Sequence, residues 1–414
     1  MGPRVIFVAQ SFPPVAGSHT TRTIAIASAL AKEYDAIGLS LAVGKSHPIR
    51  DESVQSPIPV LRTFPGIGHS LAHGFKHKAQ TYSLRASGVS TDNRKLFRAF
   101  TKLLKSCLRR FVVVDSYVDA IPHLAWRLRR TLQPTDLVVS SSMPNSTHVA
   151  VLLALVGKRN PWIVDFADPW TLDASRPTRG PRRMLESCLE RRILARADVI
   201  AWATIATLDE YSRAYPSLAH KMRLVRMGFD AADTAIPAHC FDRPTAFYGG
   251  SLPGENRDAT ALLAICAELP SVDFVFAGAC VPVVKAFFDG VIPKNVYCID
   301  GLRHAEVISY IKGASISVLF GNSNPQQVPG KTYQYAAFAQ RVLHIAPTSE
   351  SETDSLLPAG SRTVSNISTE ILSALGEPWE RVPRLGSLGF SWDSALVPLE
   401  SAVRSLKLAM TRTG

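Results

Sequence analysis

Short, continuously apolar runs alternate with helical patterns along almost the whole chain, and they do so in two separate series. In the first series the predicted strands are 5–10, 37–43, 60–64, 137–141, 162–166 and 199–203, with amphipathic helices between them, for example at 20–32, 94–111 and 182–196. A strand that is apolar throughout must be covered on both faces, which a parallel sheet between two helical layers provides. The pattern pauses at Met227-Gly228-Phe229-Asp230, and 231–244 reads as a linker. It then restarts with strands at 246–249, 273–277, 296–300, 316–320 and 342–346. A chain of 414 residues exceeds what one core usually supports. The predicted class is therefore α/β with two domains, 1–230 and 245–391, followed by a C-terminal segment 392–414 whose helical pattern covers 392–407. Tandem domains of this kind hold ligands in the cleft between them, at the carboxyl ends of the strands. Residues 43–92 are rich in Pro, Gly, Ser and His and read as an insert with little regular structure.

The net charge of +12 gives a basic surface suited to nucleic acid, an anionic membrane or a phosphorylated substrate. Basic residues are not interleaved with stacking aromatics, so nucleic acid is not expected. The six cysteines form no C-x-x-C pair and fit the reduced, buried cysteines of a cytoplasmic protein. The N-terminus runs directly into a strand, so no signal peptide is expected, and the longest apolar run, 149–156, is too short to span a bilayer. The helix 94–111 has apolar Leu96, Phe97, Phe100, Leu103, Leu104, Cys107, Leu108 and Phe111, with Arg98, Lys102, Lys105 and Arg109 on another face. Two readings stand for it: an interfacial helix on anionic lipid, at the inner face of the plasma membrane, or an ordinary surface helix with its apolar side in the core. Arg127, Arg129 and Arg130 add basic charge and lean toward the membrane.

Chemistry concentrates at Val328-Pro329-Gly330-Lys331-Thr332-Tyr333-Gln334-Tyr335, which reads as loop and then helix, before the strand 342–346. Pro329 and Gly330 break the chain where the helix begins. The free N–H groups of its first turn and the Lys331 ammonium form a site for a diphosphate. Gln334, one turn on, faces the same side and reaches a ribose. In the first series, Phe12-Pro13-Pro14-Val15-Ala16-Gly17-Ser18 ends a strand with small residues that allow close backbone approach, and a helix start follows. Arg22 on that helix either pairs with a diphosphate or is a solvated helix residue. Ser140 to His148 turns from strand to helix, with His148 in the first turn. Asp165 and Asp168, in Asp165-Phe166-Ala167-Asp168-Pro169-Trp170, end a buried strand. They cap the following loop or bind a metal, although no third ligand is evident. Phe247-Tyr248-Gly249-Gly250-Ser251-Leu252 ends the first strand of the second series with two glycines, and Arg257 follows.

In order and spacing these segments resemble the retaining glycosyltransferases of family 4, bacterial members with the GT-B fold. The likeness rests on the V-P-G-K-x-x-x-Y stretch, the first loop through Gly17, the D-x-x-D-P-W segment, the Gly228-Phe229-Asp230 hinge, and Gly249 to Leu252 with Arg257 and Leu262-Leu263. It spans residues 5 to about 400. The resemblance implies two Rossmann-like domains facing each other across a cleft, with the last helix crossing back to the first domain after Phe390-Ser391-Trp392. It implies a nucleotide-diphosphate sugar as donor, no separate cofactor and no metal, and a lipid-linked or polysaccharide acceptor, with a small natural product as the alternative acceptor. It places Gly17 beside the transferred sugar, His148 on that sugar and Asp168 on the acceptor side. Arg257 and Lys331 clamp the diphosphate next to Gly250 and Gly330. His304, in Gly301-Leu302-Arg303-His304-Ala305-Glu306, lies near the base. Gln326 and Gln334 occupy positions where many members have two glutamates eight positions apart. Those substitutions, together with Ala167 in place of an arginine, motivate a second reading as a catalytically weak binding subunit.

Overall fold

The computed structural model describes residues 4–15, 17–43, 54–66, 114–173, 180–252, 257–347, 351–376 and 388–413. The predicted helix 94–111 and most of the insert 43–92 lie outside these residues. Two compact units emerge. One contains 1–203, 208–225 and 396–414; the other contains 204–207 and 226–395.

The first unit is built on a parallel sheet of β1 (Arg4–Ala9), β2 (Asp35–Leu41), β3 (Val60–Thr63), β4 (Leu137–Ser141), β5 (Trp162–Phe166), β6 (Val199–Trp202) and β7 (Met222–Leu224), in the order β3-β2-β1-β4-β5-β6-β7. Its central strands carry Val, Ile and aromatic residues on both faces, and β4 and β5 are buried at every position. Helices Ser18–Ala31, Ile121–Thr131, Ser146–Ala154 and Pro181–Arg196 connect or flank them. Across neighbouring strands Phe166 stacks on Trp202 at 4.6 Å, and Trp202 stacks on Tyr211 of the helix Ile205–Ala214 at 4.0 Å. The strand order reverses between β1 and β4, where an open parallel sheet presents a crevice.

The second unit repeats the design with β8 (Thr245–Gly249), β9 (Asp273–Ala277), β10 (Val296–Ile299), β11 (Ile316–Phe320), β12 (Val342–Ala346) and β13 (Arg362–Ser365), in the order β10-β9-β8-β11-β12-β13, all parallel. Here the order reverses between β8 and β11. The segment read as a linker packs with this unit. Its 3-10 turn Ala231–Ala235 is held by Lys312 Nζ, which donates to the carbonyls of Asp233 and Ile236 at 2.6 Å each.

The C-terminal helix returns to the first unit. Its Lys407 Nζ donates to the Arg4 carbonyl at 2.8 Å, and Leu399 and Val403 are buried. The single predicted helix 392–407 is two helices, Trp392–Ala395 and Val397–Thr413. Pro398 explains the interruption: it donates no N–H and its ring clashes with the carbonyl four residues back, but it is tolerated in the first turn of the helix that restarts there. Strands β7 and β13 escape the sequence pattern because both are short edge strands with polar or exposed positions (MRL and RTVS).

Candidate functional site

In the second unit, β8 runs into Gly250, whose φ of +131° favours glycine. Gly250 is pinned to the end of β9: its N–H donates to the Ala277 carbonyl at 2.8 Å and its carbonyl accepts from Cys280 N–H at 2.7 Å. A Cβ at position 250 would fall 2.0 Å from Lys331 Nζ, so the glycine leaves the space that the lysine occupies. Lys331 is the first residue of the helix Lys331–Phe338, after an N-cap Gly330 that supplies no side-chain cap. Its Nζ is buried without a hydrogen-bond partner and lies 4.4 Å from the centre of the Tyr248 ring. Burial, reinforced by repulsion from Arg257, pulls its pKa down to about 7. Arg257 is held by Asn322 Oδ1, which accepts from Nε at 3.1 Å and from Nη2 at 3.0 Å. Asn322 follows the end of β11, so the two cations stand where the strand order reverses.

Neither Lys331 nor Arg257 has a carboxylate partner among the described residues. Two like charges sharing a low-dielectric crevice without a counter-ion are unfavourable until an anion joins them. A helix N-terminus lacking a side-chain cap adds partial positive charge at the same place. Gln334, one turn along the helix, is half-buried, and its side chain makes no hydrogen bond to the described residues. Gln326 lies in the preceding loop, with its N–H donating to Asn324 Oδ1 at 3.0 Å. His304 stands apart from this group. Its Nε2 lies 3.0 Å from both Asp233 carboxylate oxygens, and that hydrogen bond raises its pKa. Glu306 closes a capping box on the Arg303 N–H at 2.7 Å.

In the first unit, Gly17 is the N-cap of Ser18–Ala31, at φ 136°. The loop it ends meets the loop after β5 through His19, whose Nε2 lies 4.0 Å from Asp168 Oδ2. Both side chains are partly exposed. His19 was overlooked in the sequence, although a histidine in the first turn directly after a glycine-ended loop is a signal of its own.

Three expectations change. Arg22 is neither solvated nor open to a ligand: it is fully buried and pairs with Asp165 through Nη2–Oδ1 at 2.5 Å and Nε–Oδ2 at 3.0 Å. Asp165 also accepts from Ser141 Oγ at 2.6 Å, so it serves the fold and does not cap the loop or take a metal. His148, expected on the transferred sugar, is fully buried. Its Nδ1 is 2.9 Å from Ser140 Oγ, its ring packs 4.5 Å from Phe166, and burial pulls its pKa to about 3, so it is neutral at pH 7. The reason is that the short turn from β4 lays the first turn of Ser146–Ala154 against the sheet, where every residue from 146 to 151 is buried. Among the described residues no group of three or more His, Cys, Asp or Glu side chains is placed to hold a metal ion. Among them, too, no helix is long and apolar enough to cross a membrane.

No family model and no curated protein sequence matches the chain. Solved structures do. A sucrose-phosphate synthase from Thermosynechococcus elongatus is 14% identical with a TM-score of 0.62, over 98% of this chain and 99% of that one. HepE from Anabaena, solved with UDP and glucose, is 12% identical with a TM-score of 0.56, over 100% and 99%. A UDP-N-acetylglucosamine 2-epimerase described as putative, from Listeria monocytogenes, is 12% identical with a TM-score of 0.58, over 98% and 97%. The two parallel-sheet units and these full-length matches give the chain the GT-B fold.

Proposed function

We propose that this chain is a retaining glycosyltransferase that moves a sugar from a nucleotide-diphosphate donor to a lipid-linked or polysaccharide acceptor in cell-surface glycan synthesis. The observation that carries the reading is the cation pair Lys331 and Arg257, buried or half-buried beside Gly250 with no described carboxylate to balance it. A diphosphate supplies the missing charge, and the pair then stabilises the charge that builds on it as the glycosidic bond breaks. HepE, a structure of the same fold, holds UDP-glucose.

The bond between the anomeric carbon and the diphosphate oxygen breaks while the acceptor oxygen bonds the same face of that carbon. The acceptor proton passes to the departing diphosphate oxygen. No carboxylate nucleophile is required, in contrast to a retaining glycosidase. On the acceptor side Gly17 offers close backbone approach, and Asp168, beside His19, orients the acceptor hydroxyl. Gln334 accepts a ribose hydroxyl through its amide oxygen, a weaker acceptor than the glutamate of many relatives. Gln326 and Gly330 belong to the loop that frames the donor, and His304 lies toward the base on the Asp233 side. The basic segment 94–111 would dock the protein on anionic lipid.

The neutral Gln334 favours a second reading, a binding subunit with little turnover. The test offers uridine, thymidine and guanosine diphosphate sugars with a crude lipid acceptor fraction and follows diphosphate release. Turnover that disappears in Lys331→Ala supports the transferase. Tight nucleotide binding without turnover, in both the native chain and Gln334→Glu, favours the subunit. A changed sugar configuration on the nucleotide, with no acceptor consumed, would replace transfer by epimerisation.

A further inference from the structure

Next to the cation pair, the fold builds a second polar feature that the proposed chemistry does not use. His344 lies on β12 and is completely buried. Its Nδ1 is 2.6 Å from Asp354 Oδ1. Thr363 Oγ1 donates to that same carboxylate oxygen, and Ser351 Oγ donates to Oδ2 at 3.3 Å. The carboxylate accepts the Nδ1 proton and so fixes the tautomer in which Nε2 is a bare acceptor. Nε2 is buried and has no partner. His344 lines a cavity of about 10 Å³ together with Gly321, Asn322, Gln327, Ser351 and Thr353, among others. A Cβ at Gly321 would fall 2.9 Å from Nε2.

The size and lining specify what fits. A volume of this order holds one oxygen atom and its hydrogens. Nε2 demands a donor, while the amide and hydroxyl groups of Asn322, Gln327, Ser351 and Thr353 offer both donors and acceptors. An anionic group is disfavoured by its size and by the Asp354 charge behind the imidazole. A neutral hydroxyl, or a water molecule, satisfies the site. Asn322 decides between these sources, because the same side chain holds Arg257 and so adjoins the diphosphate anchor. We infer that the His344–Asp354 pair and Asn322 form a subsite that reads one hydroxyl of the donor sugar. The inference rests on the donor-site reading above and assigns His344 a role in donor specificity.

The test measures, by calorimetry, the affinities of a nucleoside diphosphate and of its matching glucose conjugate, with UDP and UDP-glucose or GDP and GDP-glucose as probes. His344→Leu should bind the diphosphate as the native protein does and lose about tenfold on the sugar conjugate, the effect of one hydrogen bond to a buried acceptor. His344→Gln, which restores an acceptor oxygen, should recover part of the loss. Gly321→Ala, which fills the cavity and crowds Nε2 while keeping the imidazole, should show the same sugar-selective loss if His344→Leu folds poorly. Unchanged affinity for the conjugate, or equal losses for diphosphate and conjugate, would overturn the subsite and mark the cavity as a water site or a structural contact. Failure of the native protein to bind either diphosphate would instead remove the donor-site reading, and the subsite with it.

Discussion

Lys331 fills the space that a side chain on Gly250 would take: a Cβ built there falls 2.0 Å from its Nζ. The two residues come from the ends of different elements, so glycine at 250 is a condition for the lysine's position. Gly250→Ala should displace the ammonium and weaken nucleoside-diphosphate binding about as much as removing one charge-assisted hydrogen bond, roughly 1.5–3 kcal/mol. The positive φ adds strain to any side chain at that position. Equal affinity for the variant and the native protein in a calorimetric titration would contradict the packing argument.

The depressed pKa of Lys331 links binding to protons. The free ammonium titrates at about 7, and a bound diphosphate raises that value by charge attraction. Above about 7, binding of a nucleotide sugar must therefore take up a proton. Affinity should be flat at lower pH and fall as pH rises above this point, by up to about tenfold per unit until the bound-state value is passed. Titrations in buffers of different ionisation enthalpy should show this uptake, and Lys331→Arg should abolish it.

The same burial makes Lys331 a liability in the free protein. Because its folded-state value lies below the ordinary 10.5, the unfolded chain holds more protons between about 7 and 10.5. The contribution of this group to stability therefore rises with pH across that window. Lys331→Met should stabilise the free protein at pH 7 by roughly 1–3 kcal/mol, the cost of a buried polar group left unpaired, while weakening diphosphate binding as Lys331→Ala does. Urea unfolding of both proteins measures it.

Much of this was legible in the sequence, and the exceptions have physical causes. Strands β4, β5, β9, β11 and β12 were read with their observed bounds, because a buried parallel strand is apolar at nearly every position and ends where polar residues begin. The helix start at Lys331 was legible for a similar reason: Pro329 and Gly330 break the chain where the helix begins. Pairings across the fold were not legible. Arg22 and Asp165 are 143 residues apart, and nothing local marks either as buried. Asn322, Tyr248 and the His344–Asp354 pair act through three-dimensional proximity alone. The burial of His148 was not legible either, because a histidine in a first helical turn looks the same whether that turn faces a crevice or the sheet.

The Arg22–Asp165 pair should behave as fold and not as site. Removing one partner, as in Asp165→Ala, leaves an unpaired buried charge and should cost about 3–5 kcal/mol in unfolding free energy. The double replacement Arg22→Met with Asp165→Leu should recover a large part of that loss. A single variant of native stability that loses only diphosphate affinity would return Arg22 to the binding site.

The central claim is that Lys331 and Arg257 together form the donor diphosphate site. The most direct measurement is a calorimetric titration of UDP, dTDP and GDP into the native protein, Lys331→Ala and Arg257→Ala, with folding of each variant checked by its unfolding transition. Binding of at least one diphosphate to the native protein, weakened by about 1.5–3 kcal/mol in each variant, is the predicted result. Undiminished affinity in both folded variants, or no binding of any diphosphate to the native protein, would contradict it.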